Sequence, residues 1–299
     1  MHPFIRYTTL LLCFAAAPAL AHEDKFINAN GVKIRYIEAG KGETIVLLHG
    51  GTSSLESWTT RGVVDNLARD FRVIAFDARG HGKSDSPHDP AAYGRQQALD
   101  VVRILDALKI ERAHIIGFSL GSSTVAQLLT LHPERFLTGV QVAGPGRSPK
   151  EANNPRIETE AAEIARDCIS RSRVMRQAPA GMKPTEEDIQ QRIAACRADK
   201  SFDQLAVAAS LRGYKDQAVT AEQMAAVKVP TMGIVGTLDH TLKGMQELKA
   251  IRPAMKLVLL EGVSHTGKTG IQGDPRLISE IRSFIAEQRK PASTGSTSY

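Results

Sequence analysis

Apolar residues fall along this chain in two rhythms. Short unbroken runs, "TIVLL" (44–48), "FRVIAF" (71–76), "AHIIGF" (113–118), "LTGVQV" (137–142), "VPTMGIVG" (229–236) and "MKLVLL" (255–260), lead into glycine, aspartate, serine or histidine. Such runs fit strands buried on both faces of a parallel sheet. Between them, residues 60–69, "QQALDVVRILDALKI" (96–110), "SSTVAQLLTLHPERF" (122–136) and "RLISEIRSFIAEQ" (276–288) space their apolar positions as amphipathic helices do. Upstream, "FINANGVKIRYIE" alternates on both sides of Asn30-Gly31 and predicts a hairpin with a tight turn. Alternation of strand and helix gives an α/β class with an open, largely parallel sheet, whose ligands bind at the carboxyl ends of the strands.

Residues 146–226 break the rhythm. "EIARDCISRSRVMRQ", "TEEDIQQRIAACRAD" and "FDQLAVAASLRGY" are helix-like, with no buried-strand run between them. They predict a helical cap inserted between late strands, dividing a core of residues 22–145 and 227–290. The first 21 residues pair one positive charge with a short apolar stretch ending in "ALA", the pattern of a secretory signal peptide cleaved after Ala21. The expected mature protein is therefore exported, periplasmic or secreted, with no stable membrane insertion; residues 291–299 read as a disordered tail.

Composition adds little to this picture. The 299 residues carry a net charge of +6, which falls to +5 when Arg6 leaves with the leader. No basic block interleaved with aromatics argues for nucleic acid. Cys168 and Cys196 would remain after cleavage; export permits a disulfide between them without requiring one, and no metal-ligand spacing accompanies either. Cleavage would leave His22 as the amino terminus, expected to be flexible.

Candidate chemistry is concentrated at the strand ends. "GFSLG" (117–121) follows a buried strand and opens a helix. G-x-S-x-G arises by accident about one time in ten in a chain of this length, but this context is the one a nucleophilic serine needs. Gly117 and Gly121 leave room for the tight turn, and the Leu120 N–H at the helix start can stabilise an oxyanion. A serine hydroxyl needs a base, and the base an orienting carboxylate. "GTLD" places Asp239 and "GVSH" places His265 just past the last two strands; Asp216 and Asp274 follow no buried strand.

With "LLHGG" (47–51), "DARGHGKSD" (77–85) and "HPER" (132–135), these motifs stand in the order found in α/β-hydrolases, and the chain resembles the capped esterase, peroxidase-like and C–C hydrolase group of that superfamily from about residue 26 to 289. The resemblance implies Ser119 as nucleophile, His265 as base and then acid, Asp239 as its orienter, and Gly51 beside Leu120 as oxyanion donors, with Thr52 the competitor for Gly51. It implies a small-molecule acyl substrate and no metal or organic cofactor. Ester hydrolysis is the leading expectation; lactone, C–C bond and peracid chemistry use the same triad, and a non-catalytic ligand-binding homologue is the alternative outside enzymology. An aspartate nucleophile, as in dehalogenases and epoxide hydrolases, is disfavoured by Ser119.

The remaining polar residues receive structural expectations. His49, His81, His114 and His132 are read as turn, loop or helix-end hydrogen-bonders, and Asp77 and Arg79 as partners of one another and of nearby backbone. His240 is read as pointing away from Asp239. Arg166, Arg171, Arg173 and Arg176 are read as a solvated face spread around one helix, an anion clamp being the lesser reading. Ser122 replaces the second glycine common after the motif, and "TGKTGIQGDP" predicts a long glycine-rich loop after His265.

Overall fold

The computed structural model describes residues 22–178, 183–200 and 202–289, so the expected leader and tail lie outside it. Eight strands form one sheet: β1 (Lys25–Ala29), β2 (Val32–Ala39), β3 (Thr44–Leu48), β4 (Arg72–Phe76), β5 (Ala113–Phe118), β6 (Phe136–Val142), β7 (Thr231–Gly236) and β8 (Lys256–Leu260). Their order is β1-β2-β4-β3-β5-β6-β7-β8. β1, β2 and β4 pair antiparallel, and every pair from β4–β3 to β7–β8 is parallel. The α/β-hydrolase fold expected from the sequence is the fold observed. Asn30 and Gly31, at φ 55° and 84°, make the expected hairpin turn, which needs left-handed backbone at both central positions.

Among the described residues, four α-helices precede β6: α1 (Glu56–Thr59), α2 (Val63–Leu67), α3 (Arg95–Ala107) and α4 (Leu120–Leu131). Between β6 and β7 come α5 (Pro149–Ala152), α6 (Arg156–Asp167), α7 (Arg171–Gln177), α8 (Glu186–Ala198), α9 (Gln204–Arg212) and α10 (Ala221–Ala226). α11 (Leu242–Ile251) follows β7 and α12 (Pro275–Arg289) follows β8. β5 and β3 are buried at every position because helices cover both faces of the sheet. On one face Trp58, Val63 and Leu67 meet Ile281, Phe284 and Ile285 of α12 across the strands. On the other, Val101, Ile104 and Leu105 of α3 pack with Val125, Leu128 and Leu129 of α4. Each such side chain contributes roughly 1.5–3 kcal/mol by leaving water.

In the inserted segment, Ala161 and Ile164 of α6 pack on Val207, Ala208 and Leu211 of α9. The opposite side of α9, Ala206 and Ala209, rests on the buried ring of Tyr93 and so ties the segment to the loop before α3. Thr185 caps α8 with Asp188 in a reciprocal capping box. The stretch 163–177 reads as one helix in the sequence but folds as two, because Cys168 adopts φ 70° and ends α6 while Ser170 caps α7. Cys168 and Cys196 are joined by a disulfide that staples the end of α6 to α8.

The four arginines are not one solvated face. Arg166 lies on α6 and pairs with Asp167 at 2.7 Å, while Arg171 on α7 pairs with Glu186 at 2.5 Å. Arg173 and Arg176 converge on the buried carboxylate of Glu160, at 2.6 and 2.5 Å. A carboxylate taken out of water needs such partners, and the sequence gives no sign of Glu160's burial. His22 is likewise engaged, with Nε2 2.9 Å from Asp65.

Candidate active site

β5 delivers its last residue into a turn so tight that Ser119 takes φ 52° and ψ −108°, and α4 begins at the next residue. Only small neighbours allow this. A Cβ on Gly121 would lie 2.5 Å from the Leu48 carbonyl oxygen, and one on Gly117 would collide with the backbone of Gly121 itself. The Ser119 N–H donates to Val142 O at 2.9 Å, tying the turn to the end of β6. Ser122, at the departure from a second glycine, donates its hydroxyl to Gly117 O at 2.6 Å and Val142 O at 2.9 Å, bracing the same turn.

The structure brings Ser119, His265 and Asp239 together from residues far apart in the chain. His265 Nδ1 stands 2.8 Å from Asp239 Oδ2 and 3.1 Å from Oδ1, and its Nε2 stands 3.1 Å from Ser119 Oγ. An ionised carboxylate only accepts, so Nδ1 is the donor and the Nε2 lone pair faces the serine hydroxyl. Asp239 is also held by the N–H and hydroxyl of Thr241, both at 2.8 Å to Oδ1. Burial pushes the Asp239 carboxyl up, but the hydrogen bonds from His265 and Thr241 outweigh it and hold the pKa below the usual carboxylate value.

The loop after His265 folds back on the residue before it. Ser264 N donates to Thr269 O at 2.9 Å, Ile271 N donates to Ser264 O at 3.0 Å, and the Ser264 hydroxyl bonds with Thr266 O and Thr269 Oγ1. Phe118 and His240 place their rings 5.0 and 4.5 Å from that of His265. This corrects the expectation for His240. It is adjacent to Asp239, yet the turn into α11 folds its ring back over His265 and leaves Nδ1 3.5 Å from Asp239 Oδ1.

Gly51 lies beside the helix start: a Cβ there would be 3.6–3.7 Å from the Leu120 side chain. Thr52 follows with φ 55° and donates its hydroxyl to Gly51 O at 2.7 Å. His49 braces this loop from behind. Its Nε2 accepts from the Ala78 N–H at 3.0 Å, which fixes the ring hydrogen on Nδ1, donated to Gly50 O at 2.7 Å. The His81 ring lies 5.2 Å away. Burial pushes both imidazoles down to about 4. His114 bonds Thr138 at 2.9 Å, and the half-exposed His132 faces Glu134 at 3.4 Å.

Asp77 and Arg79 bond nearby backbone as expected, Arg79 donating to Ala92 O at 2.6 Å, but they do not pair with each other. Asp77 accepts from the N–H groups of Leu55 and Lys83 and from Arg35, at 2.8, 2.8 and 3.1 Å. Arg79 forks onto Asp100 with two bonds of 2.6 Å. The turn between them sends the two side chains to different neighbours, and Arg35 and Asp100 are the partners that the local motif could not reveal. A cavity of about 360 Å³ opens between Thr52–Ser54, His81 and Lys83 of the core and Phe202 and Val207 of the inserted segment. No helix among the described residues is long and apolar enough to cross a membrane.

The family model for the alpha/beta hydrolase fold matches residues 43–267. Over 261 residues the chain is 28% identical to a putative 2-succinyl-6-hydroxy-2,4-cyclohexadiene-1-carboxylate synthase of Bacillus subtilis, spanning 83% of this chain and 93% of that one. Over 118 residues it is 37% identical to a 2-hydroxy-6-oxo-6-(2'-aminophenyl)hexa-2,4-dienoic acid hydrolase of Metapseudomonas resinovorans, covering 38% and 40% of the two chains. The matched stretches span only 32% and 40% of the length of the curated relatives that are 36% and 37% identical. An enol-lactonase structure from Burkholderia xenovorans shares the fold, with a TM-score of 0.63, 22% identity, and coverage of 88% of this chain and 100% of that one.

Proposed function

We propose that this chain, which belongs to the α/β-hydrolase family, cleaves a carboxylic ester or related acyl compound through an acyl-enzyme on Ser119. The observation that carries this reading is the unbroken line from Ser119 Oγ through His265 to Asp239, set on a strained turn at the sheet's carboxyl edge. In the forward step Ser119 Oγ attacks the acyl carbon while His265 Nε2 takes its proton. The Asp239 carboxylate stabilises the imidazolium that forms. The developing oxyanion is received by the N–H groups of Leu120 and Gly51, a contribution of about 3–4 kcal/mol to the barrier for a well-aimed donor. His265 then protonates the departing alcohol, and water repeats the sequence on the acyl-enzyme.

The segment 146–226 acts in this reading as a cap. Phe202 and Val207 face Thr52–Ser54, the residues after Gly51, across a cavity whose lining does not include Ser119, Asp239 or His265, so they shape the approach to the site rather than the acyl pocket itself. Export belongs to the same proposal, supported by the leader pattern of residues 1–21 and by the Cys168–Cys196 disulfide, a bond that persists in oxidising compartments. A second reading, hydrolysis of a C–C bond in a 2-hydroxy-6-oxo-dienoic acid, draws on the 37% identity to the Metapseudomonas enzyme.

Stopped-flow hydrolysis of short p-nitrophenyl esters, beside product analysis on a 2-hydroxy-6-oxo-dienoate, separates them. The ester reading expects a p-nitrophenol burst stoichiometric with enzyme and no dienoate cleavage. Cleavage of the dienoate into two fragments, with esters left untouched, would install the second reading. A folded protein that turns over neither would count against both readings and move the ligand-binding reading ahead.

A further inference from the structure

Hydrolysis leaves His240 without a task, although it sits against two residues of the site. Its Nδ1 lies 3.5 Å from Asp239 Oδ1, and its ring lies 4.5 Å from that of His265. One ligand atom from each of Asp239, His240 and His265 can be chosen so that all lie within 4.8 Å of one another. Zinc held tetrahedrally at about 2.0–2.2 Å sets its ligands roughly 3.3–3.5 Å apart. To the single oxygen Asp239 Oδ1, His265 Nδ1 lies at 3.1 Å and His240 Nδ1 at 3.5 Å, close to that spacing. Asp239 is fixed in place by Thr241. The His240 side chain is 63% exposed, which leaves an approach from solvent and room for a water as fourth ligand.

We propose that Asp239, His240 and His265 form an inhibitory site for a divalent transition-metal ion. Two imidazoles and one carboxylate favour zinc, nickel or copper over magnesium or calcium, which prefer all-oxygen shells. Inhibition follows from the tautomer. A metal on His265 Nδ1 takes the lone pair freed when the ring proton moves to Nε2. Ser119 Oγ then faces an N–H donor where the base had been, and no group remains to accept its proton. Asp239 and His265 serve turnover or the metal, never both.

Binding is independent of the hydrolase reading, whereas inhibition rests on it, and the test separates them. Zinc chloride is titrated calorimetrically into the full protein, into Ser119→Ala and into His240→Ala, and ester turnover is followed against zinc and magnesium. The expected result is one zinc bound per chain by wild type and Ser119→Ala, with binding weakened at least tenfold in His240→Ala. Turnover should fall with zinc in step with occupancy, recover with EDTA and ignore magnesium. His240→Gln repeats the loss should the alanine variant fold poorly. Zinc binding undiminished in both His240 variants, or no binding by folded wild type at 1 mM zinc, overturns the proposal. Zinc binding that depends on His240 in a protein with no ester turnover leaves the metal site standing and removes the ester-hydrolase reading.

Discussion

Lowering the pH from 7 to 5 should destabilise the fold through His49, and the size of the effect follows from where its ring hydrogen sits. His49 is 3% exposed, with Nδ1 donating to Gly50 and Nε2 accepting from Ala78. A proton on Nε2 would set two N–H groups against each other in a buried site. The folded pKa is pushed by burial from 6.5 down to about 4. Between those values the unfolded chain binds the proton that the folded chain refuses, so stability rises with pH across that window. It is fully present above about 6.5 and lost as pH falls toward 4. Linkage gives about 2 kcal/mol lost between pH 7 and 5, and about 3 by pH 4. Asp239, with its lowered pKa, acts in the opposite range: its contribution is present above the unfolded value near 3.8 and is lost below it, outside this window. The assay is the urea midpoint of wild type and His49→Gln at pH 7, 6 and 5. Glutamine still accepts from Ala78 but does not titrate, so its pH slope should be flatter than that of wild type by about 2 kcal/mol. Equal slopes would refute the buried neutral tautomer, and with it the bracing of the Gly50–Gly51 loop.

Two further outcomes follow from the packing. Gly121→Ala sets a methyl 2.5 Å from Leu48 O and 2.9 Å from His49 O, both backbone, so α4 must move away from β3. A loss of about 3 kcal/mol is expected together with loss of ester turnover, and a wild-type Tm would contradict it. The double variant Cys168→Ser/Cys196→Ser releases a loop of 28 residues, a loss of about 3–4 kcal/mol in the chain-entropy view. Limited proteolysis should then cut first within 146–226, and an unchanged digestion pattern and urea midpoint would count against the staple.

What could be read in advance was whatever is local in the chain. Continuous apolar runs ending in small or polar residues gave every parallel strand, and Asn30-Gly31 gave the hairpin, because burial on two faces and left-handed backbone leave marks within a few residues. Ser119, Asp239 and His265 stood out for the same reason: Ser119 directly follows β5, and Asp239 and His265 come shortly after the ends of β7 and β8. Pairings made across the fold left no such mark. Arg35 with Asp77, Arg79 with Asp100 and Glu160 with Arg173 and Arg176 join residues whose neighbours give no hint of the partner. Cys168 broke a helix that periodicity carried through, since its φ of 70° is set by the turn into α7. His240 shows the limit most sharply, because the direction of its ring depends on a turn whose shape the sequence does not spell out.

The claim that Ser119 is the nucleophile is tested most directly by intact-mass analysis after treatment with a fluorophosphonate. A single adduct on the folded protein is expected, absent from Ser119→Ala and suppressed by prior incubation with an ester substrate. No adduct on a folded, monodisperse protein, or an adduct that persists in Ser119→Ala, would contradict it.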